Sequence, residues 1–290
     1  MASTPPATDM AMEVDYQPGR HERLPVEVVQ RSAVLERIAG RELVQRQRVG
    51  FHQLVVCLDG EGVHHVDFEP LPLRAGTVLR IYPGQVQRFS VEPAFEALMV
   101  LWPSDFHHQD PSVPMWYPGS GVPTTWEPDP ATFARIVGWV EELRTEQDLF
   151  DGSQRYIDLL QVLLCAFLMR LAIALPSGAS SAGRLPASYV AFREFIEERL
   201  YDQPTVAEAA EALHYSTRTL DRACKDATGL TARQVLDERI ALEIRRLLTH
   251  TTRSVGRIGR DFGFSDPSNF SKWVVRHLGT LPGDLRSDRA

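Results

Sequence analysis

Short runs of apolar residues, separated by glycine and proline, fill the chain between residues 41 and 102. Val49–Leu58 and Val63–Phe68 are divided by Asp59-Gly60-Glu61-Gly62, a sequence typical of a hairpin turn. Closely spaced short strands of this kind predict an antiparallel sandwich or small barrel. Three further strands are expected at Thr77–Tyr82, Arg88–Val91 and Glu96–Trp102.

After residue 128 the apolar positions recur with the spacing of a helix. Asp129 and Pro130 provide an N-cap and a proline at the first helical position. Ser153 can cap a second helix, Gln154–Ala174, whose longest unbroken apolar run has eight residues. A membrane span needs about 20 predominantly apolar residues, so we expect a packed helix and no membrane partner. The pattern is compatible both with packing inside one chain and with packing against a second subunit.

Two stretches lack any regular period and divide the chain. Residues 1–19 are small, polar and acidic, which predicts a flexible N-terminal arm and not a signal peptide. Leu175–Pro186 reads LPSGASSAGRLP, a composition typical of a linker between domains. We therefore expect an α+β chain. A β-barrel domain with two packing helices spans residues 20–174, a linker spans 175–186, and an all-α domain of about seven helices spans 187–290.

The C-terminal domain contains a pattern of two short helices joined by a tight turn. A capping box at Thr205–Glu208 opens the first helix, and His214-Tyr215 make the turn. Ser216 caps the second helix, which Gly229 terminates. A polar, basic second helix crossed by a short helix rich in alanine is what a helix-turn-helix motif requires.

The same pattern recurs about 50 residues later. Ser254–Phe262 forms a short helix, Gly263-Phe264-Ser265 the turn, and Asp266-Pro267 the start of the next helix. A second capping box, Thr231–Gln234, opens a long helix between the two copies. The sequence therefore predicts two helix-turn-helix motifs held by one connecting helix.

Charge and cysteine content narrow the class of function. The net charge is −7, yet the span 214–286 carries 13 basic and 8 acidic side chains, which favours an anionic partner for that region. The three cysteines, Cys57, Cys165 and Cys224, are far apart and form no CxxC motif. This excludes a zinc ribbon, a thioredoxin motif and a disulfide framework, and fits a reducing cytoplasm.

These C-terminal residues resemble the DNA-binding domain of the AraC/XylS family of bacterial transcription regulators. The resemblance rests on the doubled motif and on the phrase Gly263-Phe264-Ser265-Asp266 followed by Ser268-Asn269-Phe270-Ser271-Lys272. The supporting positions elsewhere are Gly229-Leu230, Arg239-Ile240, Leu247-Leu248, Ile258-Gly259, Gly279, Pro282 and Arg286.

The resemblance implies that one chain places two recognition helices in successive major-groove segments of double-stranded promoter DNA. It assigns base contacts in the first groove to Thr217, Arg218 and Arg222, and in the second to Pro267, Ser268, Asn269 and Lys272. Arginine pairs well with guanine and asparagine with adenine. Phosphate contacts are expected from Lys225, Arg276 and the hydroxyl of Ser216, and the helix cap Asp266 completes the set.

The sequence departs from the family pattern at four positions. His214 stands where the first turn usually has glycine, and histidine tolerates positive φ better than most residues. Cys224 and Val274 stand where core phenylalanine is usual, which predicts a less filled core. Val275 replaces a usual basic residue, which predicts a weaker phosphate contact.

Residues 40–102 resemble the cupin-like ligand-binding domain that often precedes this DNA-binding domain. The matching segments are Phe51-His52-Gln53-Leu54, Asp59–Gly62, Val66-Asp67-Phe68, Gly76 and Pro83-Gly84-Gln85-Val86-Gln87. The resemblance implies a barrel that holds a small-molecule effector, closed by the arm at Arg20 and His21. The inward polar residues are expected to be His52, His65, Tyr82 and Gln87. A barrel filled by its own side chains is the alternative.

Metal-dependent cupin enzymes bind metal through histidines and a glutamate, and only a fragment of that spacing is present. His65 and Glu69 match it, but Val63 and Gln87 stand where two histidines are needed. A metal site needs three or four well-placed ligands, so we expect no metal, no cofactor and no enzyme activity. A metal-dependent cupin-type enzyme remains the alternative function, and a scaffold that dimerises without a ligand is a third.

The expected function is that of a cytoplasmic transcription regulator. A small-molecule effector, bound in the N-terminal barrel, controls binding of the C-terminal domain to a specific promoter sequence. The expected protein partners are a second copy of the chain, through residues 131–174, and RNA polymerase if the protein is an activator.

Overall fold

The computed structural model describes residues 11–19, 21–37, 46–88, 95–106, 124–174, 185–202 and 204–287. Contacts divide these residues into two compact units, a sheet-containing unit up to residue 174 and a helical unit from residue 185. Most of the predicted linker, residues 175–184, and the predicted ligand contact Arg20 lie outside the described residues. The domain boundaries remain a prediction.

The N-terminal unit is a curled half-barrel of nine described strands. Every pair of neighbouring strands is antiparallel except β1 and β3, which run parallel. The strands are β1 (Met12–Val14), β2 (Glu27–Gln30), β3 (Gln47–Val49), β4 (Phe51–Val66), β5 (Glu69–Arg74), β6 (Val78–Ile81), β7 (Val86–Arg88), β8 (Phe95–Pro103) and β9 (Thr125–Trp126).

The long strand β4 joins the two layers of the half-barrel. Its first part pairs with β6 and β8, and its second part pairs with β5 and β7. The Asp59–Gly62 segment, predicted to be a hairpin turn, lies within β4 and follows a bulge between Cys57 and Asp59. Gly60 has a φ of 76°, which lets the strand bend without breaking. The turn to β5 comes later, at Asp67, whose φ is 55°.

Four of the described strands, β1, β2, β5 and β9, were not expected from the sequence. β5 contains Pro70 and Pro72, and among the described strands it pairs only with β4, so prolines without an N–H donor are tolerated on it. β1 lies inside the segment expected to be a flexible arm, where residues 12–14 pair with residues 47–49 of β3. Pairing with this neighbour satisfies the backbone groups of β1.

In the described part of this unit, three helices accompany the half-barrel. α2 (Pro130–Asp148) and α3 (Gln154–Ala174) agree with the predicted pair, and Asp129 caps α2 through the N–H groups of residues 131 and 132. α1 (Arg31–Arg37) was not expected, and its Val34 packs into the core between the layers. The end of α2 is fastened to β2, because the amide of Gln147 bonds both the N–H and the C=O of Val28.

Two cores fill the N-terminal unit. Leu54, Val56 and Val100 lie between the sheet and α2 and α3, whereas Val55 and Met99 lie inside the curl of the sheet. Alternate residues of β4 therefore serve different cores, as the pleat of a strand requires.

Among the described residues, α3 is the helix whose length and composition would allow it to cross a membrane, and a third of its most apolar stretch is buried.

The described residues of the C-terminal unit form seven α-helices, in agreement with the predicted number of about seven. They surround a single apolar core to which all seven contribute, and the α+β fold class is confirmed. The helices are α4 (Ala187–Glu198), α5 (Val206–Ala212), α6 (Thr217–Thr228), α7 (Ala232–His250), α8 (Val255–Asp261), α9 (Pro267–Leu278) and α10 (Pro282–Ser287), with a short 3₁₀ turn at Leu200–Asp202.

Candidate DNA-binding and ligand-binding sites

The first helix-turn-helix consists of α5 and α6. Thr205 and Glu208 form the predicted capping box, in which each side chain bonds the other residue's backbone N–H at 3.1 and 2.7 Å. His214 has a φ of 56°, so histidine does occupy the positive-φ position of the turn. Ser216 caps α6 by accepting the N–H of Thr219 at 3.0 Å.

The second motif consists of α8 and α9 and repeats this geometry. Gly263 occupies the positive-φ position of the turn, with a φ of 66°. Asp266 caps α9 by accepting the N–H of Ser268 at 2.7 Å. α6 and α9 each have 12 residues, and both end at a left-handed glycine, Gly229 or Gly279.

The connecting helix α7 carries both motifs. Its 19 residues span about 28 Å at a rise of 1.5 Å per residue. The carboxylate of Asp221 on α6 accepts the backbone N–H of Ala232, the first residue of α7, at 2.9 Å. This bond fixes the first recognition helix to the start of the connecting helix.

All the predicted DNA contacts are exposed on the two recognition helices and their caps. The first set comprises Ser216, Thr217, Arg218, Arg222 and Lys225, and the second comprises Asp266, Pro267, Ser268, Asn269, Lys272 and Arg276. The geometry brings each set together on one helix.

The cations of these sets differ in their ion pairing from most other arginines of the domain. Arg218, Arg222, Lys225, Lys272 and Arg276 make no ion pair with any described residue. Elsewhere in the domain arginines are engaged by carboxylates, as in the pairs of Arg233 with Asp237, Arg257 with Asp261 and Arg239 with Glu197. Exposed cations without a protein partner are available to phosphates and base edges.

The substitutions away from the family pattern occupy the expected positions. Cys224 and Val274 are fully buried in the core of the C-terminal unit, and burial raises the pKa of the Cys224 thiol to about 12. Val275 is exposed on α9, where an apolar side chain offers no charge to a phosphate.

The interior of the curled sheet contains a small polar cluster. His64 Nε2 lies 3.1 Å from the side-chain oxygen of Gln87, whose amide nitrogen donates to Gln47 at 3.4 Å. Gln53 lies on the same inner face of β4 as Val55, and the amide nitrogens of Gln47 and Gln53 are buried without a hydrogen-bond partner in the described residues. Burial lowers the pKa of His64 to about 4, so this ring is neutral at pH 7.

Gln87 is thus placed as predicted, while His65 is not. The side chain of His65 points to the outer face of the sheet, where its Nε2 lies 3.3 Å from Arg88. Its neighbour His64 points inward instead. Sequence analysis missed His64 because the bulge in β4 determines which face each later residue of the strand occupies. It also missed Gln47 on β3 and Gln53 on β4.

The other predicted ligand contacts face the layer between the sheet and the helices. His52 stacks on Trp102 with 5.1 Å between ring centroids, and Tyr82 lies at its edge and under the guanidinium of Arg80. Burial, together with the charge of Arg80, lowers the pKa of His52 to about 3. His21 packs edge-on against Phe150 at 5.2 Å. These residues do not join the inner cluster.

A separate open groove of about 930 Å³ lies beside α3. Tyr16 and residues 22–25 form one wall, and Val162, Cys165 and Met169 of α3 form part of the other. Among the described residues, no three His, Cys, Asp or Glu side chains are grouped so that they could hold a metal ion.

A curled-sheet domain followed by two helix-turn-helix motifs on one connecting helix defines a DNA-binding regulator with a ligand-binding domain. Residues 32–168 match the AraC-like ligand binding domain, and residues 209–288 match a helix-turn-helix domain. The chain belongs to the AraC family of transcription regulators. Members of this family are in general not enzymes.

Curated relatives resemble the chain over most of its length. The HTH-type transcriptional activator RhaS of Escherichia coli (strain SE11) is 27% identical over 247 residues, which cover 82% of this chain and 86% of the relative. RhaS of Escherichia coli O157:H7 (strain EC4115 / EHEC) matches to the same extent.

Two solved structures have a limited similarity to this chain in sequence and in fold. ToxT from Vibrio cholerae, in its 1.65 Å structure, is 10% identical with a TM-score of 0.40, covering 90% of this chain and 97% of that one. An AraC-type DNA-binding domain-containing regulator from Chromobacterium violaceum is 23% identical with a TM-score of 0.33, covering 40% of this chain and 97% of that one.

Proposed function

We propose that this regulator reads two successive major-groove segments of one promoter site, the first with α6 and the second with α9. The observation that carries this proposal is that the cations of both helices are exposed and make no ion pair with a described residue, whereas most other arginines of the domain do. α7 sets the separation of the two helices. Successive major-groove segments on one face of DNA lie about 34 Å apart, similar to the length of α7.

Base and phosphate contacts follow from side-chain type. Arg218 and Arg222 suit guanine, whose O6 and N7 accept a bidentate pair, and Asn269 suits adenine. Thr217, Pro267, Ser268 and Lys272 complete the groove contacts. Ser216, Lys225 and Arg276 hold phosphates, and Asp266 keeps α9 capped and directs its first turn toward the bases.

Fluorescence anisotropy of the full chain with two labelled duplexes at physiological salt tests this function. One duplex carries a sequence selected by the protein, and the other carries the same bases in scrambled order. We expect at least a 1,000-fold preference for the selected duplex, the lower end of what specific DNA-binding proteins show. Weak binding that does not distinguish the two duplexes would contradict a sequence-specific regulator.

The effector is proposed to bind inside the curled sheet, at the cluster of His64, Gln87 and Gln47, with Gln53 on the same inner face of the sheet. Two buried amide nitrogens without a described partner support this proposal, since a buried donor left unbonded costs about 1–3 kcal/mol that a ligand oxygen can recover. The groove beside α3, whose lining includes Glu22 next to the predicted contact His21, is an alternative site. The contacts predicted at His52, Tyr82 and His65 are not part of the inner cluster, and Arg20 lies outside the described residues.

A thermal-shift screen of sugars, polyols and carboxylic acids tests the location of the effector site. A true effector is expected to raise the Tm of the wild-type chain and to leave a Gln87→Leu variant unchanged. Gln85→Leu is not a suitable control because the side-chain amide of Gln85 donates to Asp67, so His65→Gln, a change at a half-buried residue beside Arg88, serves as the matched control. A ligand that stabilises the wild-type and Gln87→Leu proteins equally would contradict the inner site.

A homodimer through α3 is proposed on the basis of a second apolar stripe on this helix. Ile157, Leu160 and Leu164 face the domain core, but another set recurs on the opposite side with spacings of three and four residues. That set is Leu159, Val162, Ala166, Met169 and Ile173, of which Val162 is 65% and Ile173 84% exposed. Apolar residues spaced alternately three and four positions apart form the seam along which two helices pack against each other. We therefore propose that the seam of α3 packs against the same seam of a second copy of the chain.

The remaining partners follow from the function. The relatives named RhaS are activators, and for an activator RNA polymerase is a further partner. We place the protein in the cytoplasm, where bacterial promoters lie.

A further inference from the structure

A buried charge network connects α4 to the connecting helix α7. The guanidinium of Arg239 on α7 bonds the carboxylate of Glu197 on α4, with Nε and Nη2 each 2.9 Å from an oxygen. Its Nη1 also donates to Glu243 at 3.2 Å. Glu243 is 1% exposed and accepts a further bond from Arg246 at 3.4 Å.

Tyr201 extends this network to the second helix-turn-helix. The residue follows α4, and its hydroxyl donates to Glu243 at 2.8 Å. Its ring lies 5.2 Å from that of Phe262, which caps α8 and directly precedes the turn to α9. Tyr201 therefore joins the buried carboxylate of α7 to the element that positions the second recognition helix.

α4 contacts the first motif in a different way. Its Phe192 and Ile196 share an apolar core with Leu220 and Cys224 of α6. Packing attaches α4 to the first recognition helix, and the polar network with Tyr201 attaches it to the second. α4 is thus a second link between the two motifs, beside α7.

We infer that Tyr201, acting through Glu243 and Phe262, is a positioning residue that fixes the second recognition helix relative to the first. A hydrogen bond to a buried carboxylate is directional and strong, whereas apolar contacts allow small rotations. Without this bond the second motif retains its fold but has more freedom about α7. The property that depends on Tyr201 is therefore the protein's preference for one spacing between the two DNA half-sites. This inference rests on the proposed reading of two major-groove segments by α6 and α9.

The test compares Tyr201→Phe with the wild-type full chain on three duplexes. One carries the selected operator, and the other two have one base pair added or removed between the half-sites. The wild-type protein is expected to bind the altered spacings at least tenfold more weakly. Tyr201→Phe keeps the ring on Phe262, so its affinity for the selected operator is expected to stay within threefold while its spacing preference falls several-fold.

The outcomes separate this inference from the proposed function. Spacing discrimination equal to wild type in a folded Tyr201→Phe protein would overturn the inference and leave the two-segment reading intact. A wild-type protein without spacing discrimination would overturn both. Phe262→Leu, which removes the ring contact and retains burial, provides a second variant with the same expected loss of spacing preference. Glu238→Gln, an exposed carboxylate on α7, is the control expected to match wild type.

Discussion

A β-carbon added to Gly259 would lie 3.1 Å from Cγ of Phe270. This close approach is where α8 crosses α9 in the second helix-turn-helix. In the first motif the corresponding residues are Ala210 and Leu220, both buried in the same core. The two helices of each motif thus cross at a small residue. Gly259 faces the ring of Phe270 in the second motif, and Ala210 corresponds to it, opposite Leu220, in the first.

Gly259→Ala is expected to destabilise the C-terminal domain by about 1–2 kcal/mol, because the ring of Phe270 must shift to admit the methyl. Gly256→Ala on the same helix is the control, since its nearest neighbour is the mobile end of Arg260 at 3.7 Å. That change should stabilise by about 0.5–1 kcal/mol through helix propensity. Urea unfolding measures both, and equal effects of the two changes would contradict the tight crossing.

Base-reading and phosphate-binding residues are expected to respond differently to truncation. Arg218→Ala should cost about 1–3 kcal/mol on the preferred DNA and relax specificity at one base position. Lys225→Ala should weaken binding to all sequences alike and reduce the salt slope by about one. Affinity measured on single-base variants of the operator at several salt concentrations distinguishes them. A uniform loss across sequences for Arg218→Ala would exclude it as a base reader.

The N-terminal domain is expected to lose stability as the pH falls below about 6.5. The pKa of His64 is lowered from its ordinary value of 6.5 to about 4, so the unfolded chain takes up a proton that the folded domain resists. Between pH 7 and pH 5 this one residue should cost about 2 kcal/mol. Calorimetry of wild type and His64→Gln over this range measures the effect.

His64→Gln should therefore have a shallower loss of stability with pH than the wild-type protein. His65→Gln, which changes the neighbour on the outer face, should remove a smaller part of the slope. Identical pH profiles for wild type and His64→Gln would show that His64 titrates normally in the folded protein.

Val162→Glu tests the apolar seam of α3. A charge in the centre of the seam is expected to weaken dimerisation at least tenfold, because it would be desolvated in the interface. Gln161→Glu adds the same charge one residue away, outside the seam, and should leave the dimer unchanged. Analytical ultracentrifugation at micromolar concentrations measures the change. A monomeric wild-type protein would refute the proposed interface.

The helical domain could be predicted closely because its signals are local. Helix caps and C-terminal glycines act within one helical turn. The structure has the caps Ser216 and Asp266 and the terminating residues Gly229 and Gly279 where the sequence indicates them. The exposure of the recognition side chains follows from the same periodicity.

The sheet domain was harder to predict because its pairing is not local. The bulge after Cys57 exchanges the faces of β4, so inner positions are Phe51, Gln53 and Val55 before it and His64 and Val66 after it. Nothing in the sequence fixes that one-residue shift, and an error of one residue exchanges His64 for His65. The proline-containing strand β5 was not predicted for a related reason. Prolines are tolerated in a strand at the edge of a sheet, and the sequence does not show which strand lies at the edge.

The decisive experiment for DNA reading by both α6 and α9 is the selection of binding sites from random DNA by the purified chain, followed by sequencing. We expect enrichment of two short motifs whose centres lie one helical turn, about 10 base pairs, apart. Arg218→Ala should blur one motif and Asn269→Ala the other. Enrichment of a single motif, or of none, would contradict a protein that reads DNA with both α6 and α9.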